Sequence, residues 1–269
     1  MTTFRDEIEE EAAPPEPQFL LREGDHVLDR FWIEERGGLI LDGGAAFDRV
    51  SYESDPNAVT VTFTGSESGS VVDGYGGADE FSDAELILGS EHNDVFTGSV
   101  GSQNVFIGLK GEETFNGNGG TAGNANVHDI VDYSHDVEFG AVAGVTVNLH
   151  AHEIQGGLAG DRATDSFGDT DTVSGIQDVI GTQFDDQLYG GGHDNVLSGG
   201  AGNDLLLGNA EDDILDGGAD TDISAVNDAP TLVGDNLPEL VTAPLIGSGA
   251  VYQNNGEFQF SQASGTFPV

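Results

Sequence analysis

The sequence predicts an all-β protein: a right-handed parallel β-roll (a β-solenoid) built from glycine- and aspartate-rich nonapeptide repeats. Three observations predict it. A nine-residue glycine period runs without a gap late in the chain, a diluted copy of that period precedes it, and the acidic excess is too large for a conventional core.

The late period is the plainest element. From Gly181 the chain divides into GTQFDDQLY, GGGHDNVLS, GGAGNDLLL, GNAEDDILD and GGADTDIS. Position one is Gly181, Gly190, Gly199, Gly208 and Gly217. Position six is Asp186, Asn195, Asp204, Asp213 and Asp222. Position eight is Leu188, Leu197, Leu206 and Leu215, with Ser224 as the array ends.

The diluted copy comes next. GSEHNDVFT begins at Gly89, GSVGSQNVFI at Gly98 with one extra residue, and GLKGEETFN at Gly108. Its position-six equivalents are Asp94, Asn104 and Glu113, and its apolar positions are Phe96, Phe106 and Phe115. The extra residue is expected to disturb the stacking.

A longer repeat encloses both arrays. DRVSYESD around Tyr52 resembles DIVDYSHD around Tyr133, VTVTF at 59–63 matches VTVNL at 145–149, and GADEFSDAELILGS at 77–90 matches GDTDTVSGIQDVIGT at 168–182. The organisation read from this is a disordered acidic tail over 1–18 and a first unit with degenerate repeats over 19–124. A second unit with regular repeats covers 125–224, and a C-terminal cap or secretion-signal segment covers 225–269.

Elementary geometry turns the period into a coil. Glycines permit the positive φ of a tight turn. The residues around each apolar position, such as Leu205, Leu206 and Leu207, form a short strand whose alternation points Leu206 inward. Two nonapeptides return the chain to the same side, so successive coils pair as parallel strands. One apolar residue per half-coil makes a thin core. It is set against an ordering cost of roughly 1–2 kcal/mol per backbone residue.

The charge sharpens this. The chain of 269 residues holds 49 Asp and Glu against 7 Lys and Arg, a formal net charge of -42, and Arg162 is its last basic residue. Such self-repulsion opposes a compact state, so folding calls for counter-cations. Nucleic acid is excluded as a partner, because phosphate contacts need Lys and Arg. The chain has no cysteine, which excludes disulfides and Cys-based metal sites. No run of 18 or more apolar residues is present, so no transmembrane segment is expected. The start MTTFRDEIEEEAAPPEPQ lacks the basic and apolar regions of a secretory signal peptide, so secretion would need another route.

Stacking places Asp186, Asp204 and Asp222 along one edge, and Asn195 and Asp213 along the other. A cation between neighbours converts each repulsive row into a ligand row. Calcium suits it, because it accepts six to eight hard oxygen ligands, backbone carbonyls included, in flexible geometry. Magnesium demands tighter octahedral geometry and holds its waters more strongly.

GGAGNDLLL, GGGHDNVLS and the flanking DVIGTQFDDQLYGG resemble the RTX (haemolysin-type) calcium-binding repeats of bacterial proteins. The resemblance covers 40–224 and is strongest over 180–224. It implies several bound calcium ions between the turns and export by type I secretion with an uncleaved C-terminal signal. It also implies Asp186, Asp204, Asp213 and Asp222 as carboxylate ligands. Asn195 replaces one acid and weakens its site. In the first array Asp94 matches the pattern, while Asn104 and Glu113 depart from it. VNDAPTL at 226–232 resembles the junction where cadherin-like modules begin in large bacterial surface proteins.

Other chemistry is sparse. His150 and His152 share one face of a strand in VNLHAHEIQ with Glu153 beside them, half of a zinc or copper site at most, since position 156 is Gly and no HExxH forms. They read as exposed strand histidines, and His193 as solvent-facing. Trp32 reads as a packing cap. No G-x-S-x-G elbow or P-loop occurs, so no enzyme activity is expected. The functional expectation is a secreted, extracellular calcium-binding protein with a structural or adhesive role. Its further partners would be an extracellular polysaccharide or other surface proteins. The alternatives are the non-catalytic part of a secreted protease, lipase or alginate epimerase, or a toxin fragment.

Overall fold

Each regular nonapeptide forms one short strand, and alternate strands go to opposite walls. The structure, a computed structural model, describes residues 30–32, 38–44, 48–118, 127–152, 154, 158–226, 231–232, 250–253 and 257–259. Gln187–Tyr189 pairs in parallel with Leu205–Leu207, and Val196–Ser198 pairs in parallel with Ile214–Asp216. Leu188 therefore lies beside Leu206, and Leu197 beside Leu215. All four leucines are fully buried. The coil of two repeats read from the spacing is the coil observed, and the fold is an all-β, parallel β-roll.

The two walls extend beyond the regular repeats. One is a 14-stranded sheet and the other a 6-stranded sheet. The smaller wall continues into a 3-stranded sheet through a parallel bridge between Leu88 and Ile107. Inward residues meet between the walls. Phe96, Phe115, Val173 and Val147 continue the row of Leu188 and Leu206, while Phe106, Val131 and Val179 continue the row of Leu197 and Leu215. Toward the first array aromatic rings replace leucines. Phe106 stacks on Phe115 at 5.9 Å between centroids, and Phe63 meets Phe81 edge-on at 5.5 Å. Larger side chains compensate there for less regular turns, because interiors must be filled to crystal-like density.

The large sheet is not parallel throughout, because each unit adds an antiparallel meander to the parallel roll. Thr60–Phe63, Gly69–Val72 and Ala78–Ser82 form an antiparallel meander. Thr146–Asn148, Arg162–Thr164 and Thr170–Ser174 repeat it in the second unit. In each case the chain steps ahead along the stack and returns, so that Thr170–Ser174 pairs with Thr114–Asn116 while Thr146–Asn148 pairs with Gln187–Tyr189. A tight connection suffices for antiparallel strands, and the Thr64 N–H closes one by donating to the Ser68 carbonyl at 2.8 Å. The middle strands escaped the sequence reading because GSVV and RAT each bury a single apolar side chain, Val71 and Ala163.

The extra residue in Gly98–Ile107 does not disturb the stack as expected. Phe106 keeps its place beside Val131. Ile107 instead points to the opposite face, where it joins Leu86, Leu88 and Leu109 in a second apolar cluster against Val105 and Phe139.

Arg30–Trp32 pairs with Arg49–Ser51. The Trp32 side chain, the 1–18 tail and most of 225–269 lie outside the described residues. Within the C-terminal segment, Ala250–Gln253 and Glu257–Gln259 add an antiparallel hairpin beside Ile223–Val226. Among the described residues no helix is long and apolar enough to cross a membrane.

Candidate metal centre

Position six immediately precedes each strand, and its side chain turns into the coil rather than out of it. Asp186, Asn195, Asp204, Asp213 and Asp222 are all buried. Their side chains are tied to the backbone of the adjacent coil. Asp204 Oδ1 accepts the N–H of Asp186 at 2.8 Å, Asp222 Oδ1 that of Asp204 at 3.1 Å, and Asp213 Oδ1 that of Asn195 at 3.0 Å. Position five reaches the other way along the stack. Asp185 Oδ1 accepts the N–H of Asn203 at 2.7 Å, and Asp194 Oδ1 that of Asp212 at 2.9 Å.

Position one is glycine for lack of space. A Cβ added to Gly199 would lie 2.7 Å from Asp204 Cγ, and one on Gly217 would lie 2.5 Å from Asp222 Oδ2. Positions two and four bend the turn through left-handed conformations: φ is +101° at Gly200 and +116° at Gly202. Asn209 and Glu211 adopt the same region at φ 73° and 70° in the next repeat.

The structure divides the expected ligands. Asp186 is engaged on both oxygens, by the Val145 N–H at 2.7 Å, the Thr182 N–H at 2.6 Å and the Thr182 hydroxyl at 2.9 Å. Asp94 has the same arrangement with Val59 and Ser90, which shows the two units to be equivalent at this point. Asn195 accepts from the Gly191 N–H and donates to the Gln177 carbonyl. Asn104 accepts from Ser99 and donates to the Gly65 carbonyl at 2.7 Å. An amide can donate to a carbonyl where a carboxylate would be repelled by it. Asp204 and Asp222 differ: Oδ2 of each is buried with no hydrogen-bond partner. Glu113 keeps the position-six place, its side chain against Gly108 as that of Asp204 is against Gly199, and its backbone N–H donates to Asp171 Oδ1 at 3.0 Å.

Among the buried acids that the sequence reading missed is one beside Asn104. Asp129 accepts the N–H of Asn104 at 2.9 Å and that of Asn118 at 2.8 Å. It stands two residues before the inward Val131, as position six stands before position eight, but the nine-residue phase continued from Gly117 puts position six at 122 and 131, so the period does not reach it.

Burial penalises these charges. It pushes Asp204 up to about 7, with the charges of Asp186 and Asp222 adding to the effect. It pushes Asp94 and Asp186 up to about 6 against the lowering effect of their donors, and Asp222 up as well. Anionic oxygens without donors, in turns that otherwise offer backbone carbonyls, are the donor set of a hard divalent cation. The residues fit calcium, and Asp204 and Asp222 would supply carboxylates to it in the regular array. The bound ion would supply the positive charge that the buried rows lack.

The histidines stand apart. His150 and His152 follow the strand Thr146–Asn148 in a bend rather than lying within a strand, and their rings are 5.2 Å apart. His193 is exposed in its turn.

A family model for the RTX calcium-binding nonapeptide repeat (4 copies) matches residues 171–206 and 189–223. No curated protein matches the chain. The glycine turns, the inward leucines and the acidic ladder coincide with the matched segment: this chain carries RTX calcium-binding nonapeptide repeats across residues 171–223.

Proposed function

We propose that this is a secreted protein whose β-roll folds on binding several calcium ions and serves a structural or adhesive role at the cell exterior. The observation that carries the reading is the pair of buried, donor-less oxygens, Asp204 Oδ2 and Asp222 Oδ2, in successive coils of calcium-binding repeats. Without a cation these coils bring like charges together inside a core one side chain deep. With calcium, the free energy of binding becomes free energy of folding.

The same linkage separates two compartments. Where calcium is scarce, a chain of net charge -42 stays unfolded and threadable, as type I export requires. Outside, extracellular calcium modules work at about 10⁻⁴–10⁻³ M, and the chain folds on arrival. The folded roll presents an acidic, repetitive surface suited to a matrix of polysaccharide or other surface proteins bridged by calcium.

Calcium titrated into chelator-treated protein, followed by far-UV circular dichroism with magnesium as control, tests this. A cooperative gain of β signal with calcium alone is expected. Equal β signal in chelator and in calcium would overturn the folding switch.

A further inference from the structure

A second group of buried acids lies beyond the regular repeats, at the end of the first array where the meander of the second unit meets it. Its framework is duplicated. The Tyr133 hydroxyl donates to Asp171 Oδ2 at 2.9 Å, as the Tyr52 hydroxyl donates to Asp79 Oδ2 at 2.9 Å. Asp165 Oδ1 collects the N–H groups of Phe167, Gly168 and Asp169, as Asp73 Oδ1 collects those of Tyr75 and Gly77. Asp171 Oδ1 accepts the N–H of Glu113, as Asp79 Oδ1 accepts that of Leu39.

The copies part company at that last position. Where the first unit has the apolar Leu39, the second has Glu113, a third carboxylate. Glu113, Asp165 and Asp171 are all buried, and each offers an oxygen within 4.8 Å of the other two. Glu113 and Asp165 are each 2% exposed, and Glu113 Oε1 and Asp165 Oδ2 have no hydrogen-bond partner. The basic side chains of the adjoining segments are used elsewhere. Arg162 donates to the Thr172 hydroxyl at 2.7 Å, and Lys110 pairs with Glu91.

We propose that Glu113, Asp165 and Asp171 form a separate divalent-cation site, selective for calcium, that clamps the second-unit meander to the first array. The three ligands come from a nonapeptide turn, a hairpin turn and a strand. They are hard oxygens with no nitrogen or sulfur among them, which favours calcium over transition metals. Three side-chain carboxylates carry more charge than a glycine-turn site built largely from carbonyls, and affinity rises with ligand charge. This site therefore fills at lower calcium than the ladder. Burial and the neighbouring Asp171 push Glu113 well above the usual carboxylate range, so the competing arrangement is a proton in the ion's place.

The experiment counts calcium on the full chain by equilibrium dialysis. The comparison is between the native protein, the double variant Glu113→Gln with Asp165→Asn, and the ladder variant Asp204→Asn with Asp222→Asn. The expected result is that the first variant loses one calcium, the tightest, and keeps the calcium-induced β signal. The ladder variant should retain that tight ion, whatever becomes of folding in the ladder. An unchanged count in the folded first variant overturns the clamp and leaves the ladder reading untouched. Terbium bound at native protein and excited through tyrosine gives a second readout, because Tyr133 contacts Asp171 directly. Emission at low terbium should drop at least twofold in Tyr133→Phe, and undiminished emission would overturn the site. A protonated-carboxyl infrared band that persists in calcium and disappears in Glu113→Gln would show a shared proton instead, and would also overturn it.

Discussion

The backbone N–H of Asp186 donates to Oδ1 of Asp204 at 2.8 Å, joining residues eighteen apart in the chain. One oxygen of each such acid satisfies the neighbouring coil's backbone, which leaves the second free for a cation in Asp204 and Asp222. Backbone satisfaction and ligand supply therefore sit on one side chain, and the two roles can be separated by substitution.

Asp204→Asn keeps an acceptor for the Asp186 N–H and removes the charge. The variant should fold at least as well as the native chain in chelator and bind calcium several-fold more weakly. Paired calcium titrations and urea melts check both halves. Weaker folding in chelator together with native calcium affinity would mean that the charge serves the backbone and not the ion.

Acid should replace calcium. Asp204 is held at about 7 in the folded state against an ordinary 3.8, mainly by burial, and Asp186 at about 6. The folded chain thus binds more protons than the unfolded chain between about pH 4 and 7, so metal-free stability falls as pH rises through that window. In chelator, β signal should be present near pH 4 and lost above about pH 7, while saturating calcium abolishes the dependence. Circular dichroism across pH, with and without calcium, reads this out.

Gly199→Ala places a methyl group against the Asp204 carboxylate, with Cγ at 2.7 Å. The φ of Gly199 is not in the left-handed region, so the penalty is steric alone and should be about 1–3 kcal/mol, as for overpacked interiors. Calcium affinity should fall with it, because the displaced carboxylate is a proposed ligand. Chemical denaturation in saturating calcium gives the stability change, and a titration gives the affinity.

Leu206→Ala removes an inward side chain from a core with one such residue per strand. A loss of about 2–5 kcal/mol is expected in calcium. The midpoint of calcium-induced folding should move upward, since binding must offset the lost burial. An unshifted midpoint would separate folding from binding.

Much of this fold was legible because the roll is written locally. Each strand, turn and inward leucine of 181–224 lies within nine residues of its own glycine, so periodicity suffices to place it. The meanders were not legible to the same degree. Gly69–Val72 and Arg162–Thr164 bury one small side chain each and carry no strand signature strong enough to distinguish them from turns. The path of Ile107 was hidden for a related reason: strand alternation sends the side chain after Phe106 to the opposite face, and only the cluster of Leu86, Leu88 and Leu109 shows that this face is also covered.

The nine-residue phase and the charge of -42 were sufficient to specify a parallel β-roll with stacked acids, because each nonapeptide's own turn and strand dictate the coil and like charges repel wherever they stack. Folding decided which acid oxygens already carry hydrogen-bond donors. Asp94 and Asp186 occupy the ladder position yet spend both oxygens on neighbouring donors. Glu113, which departs from the motif, is brought beside Asp171 across 58 residues of chain. Hydrogen-bond satisfaction and long-range proximity are properties of the packed chain, and no spacing within a repeat encodes them.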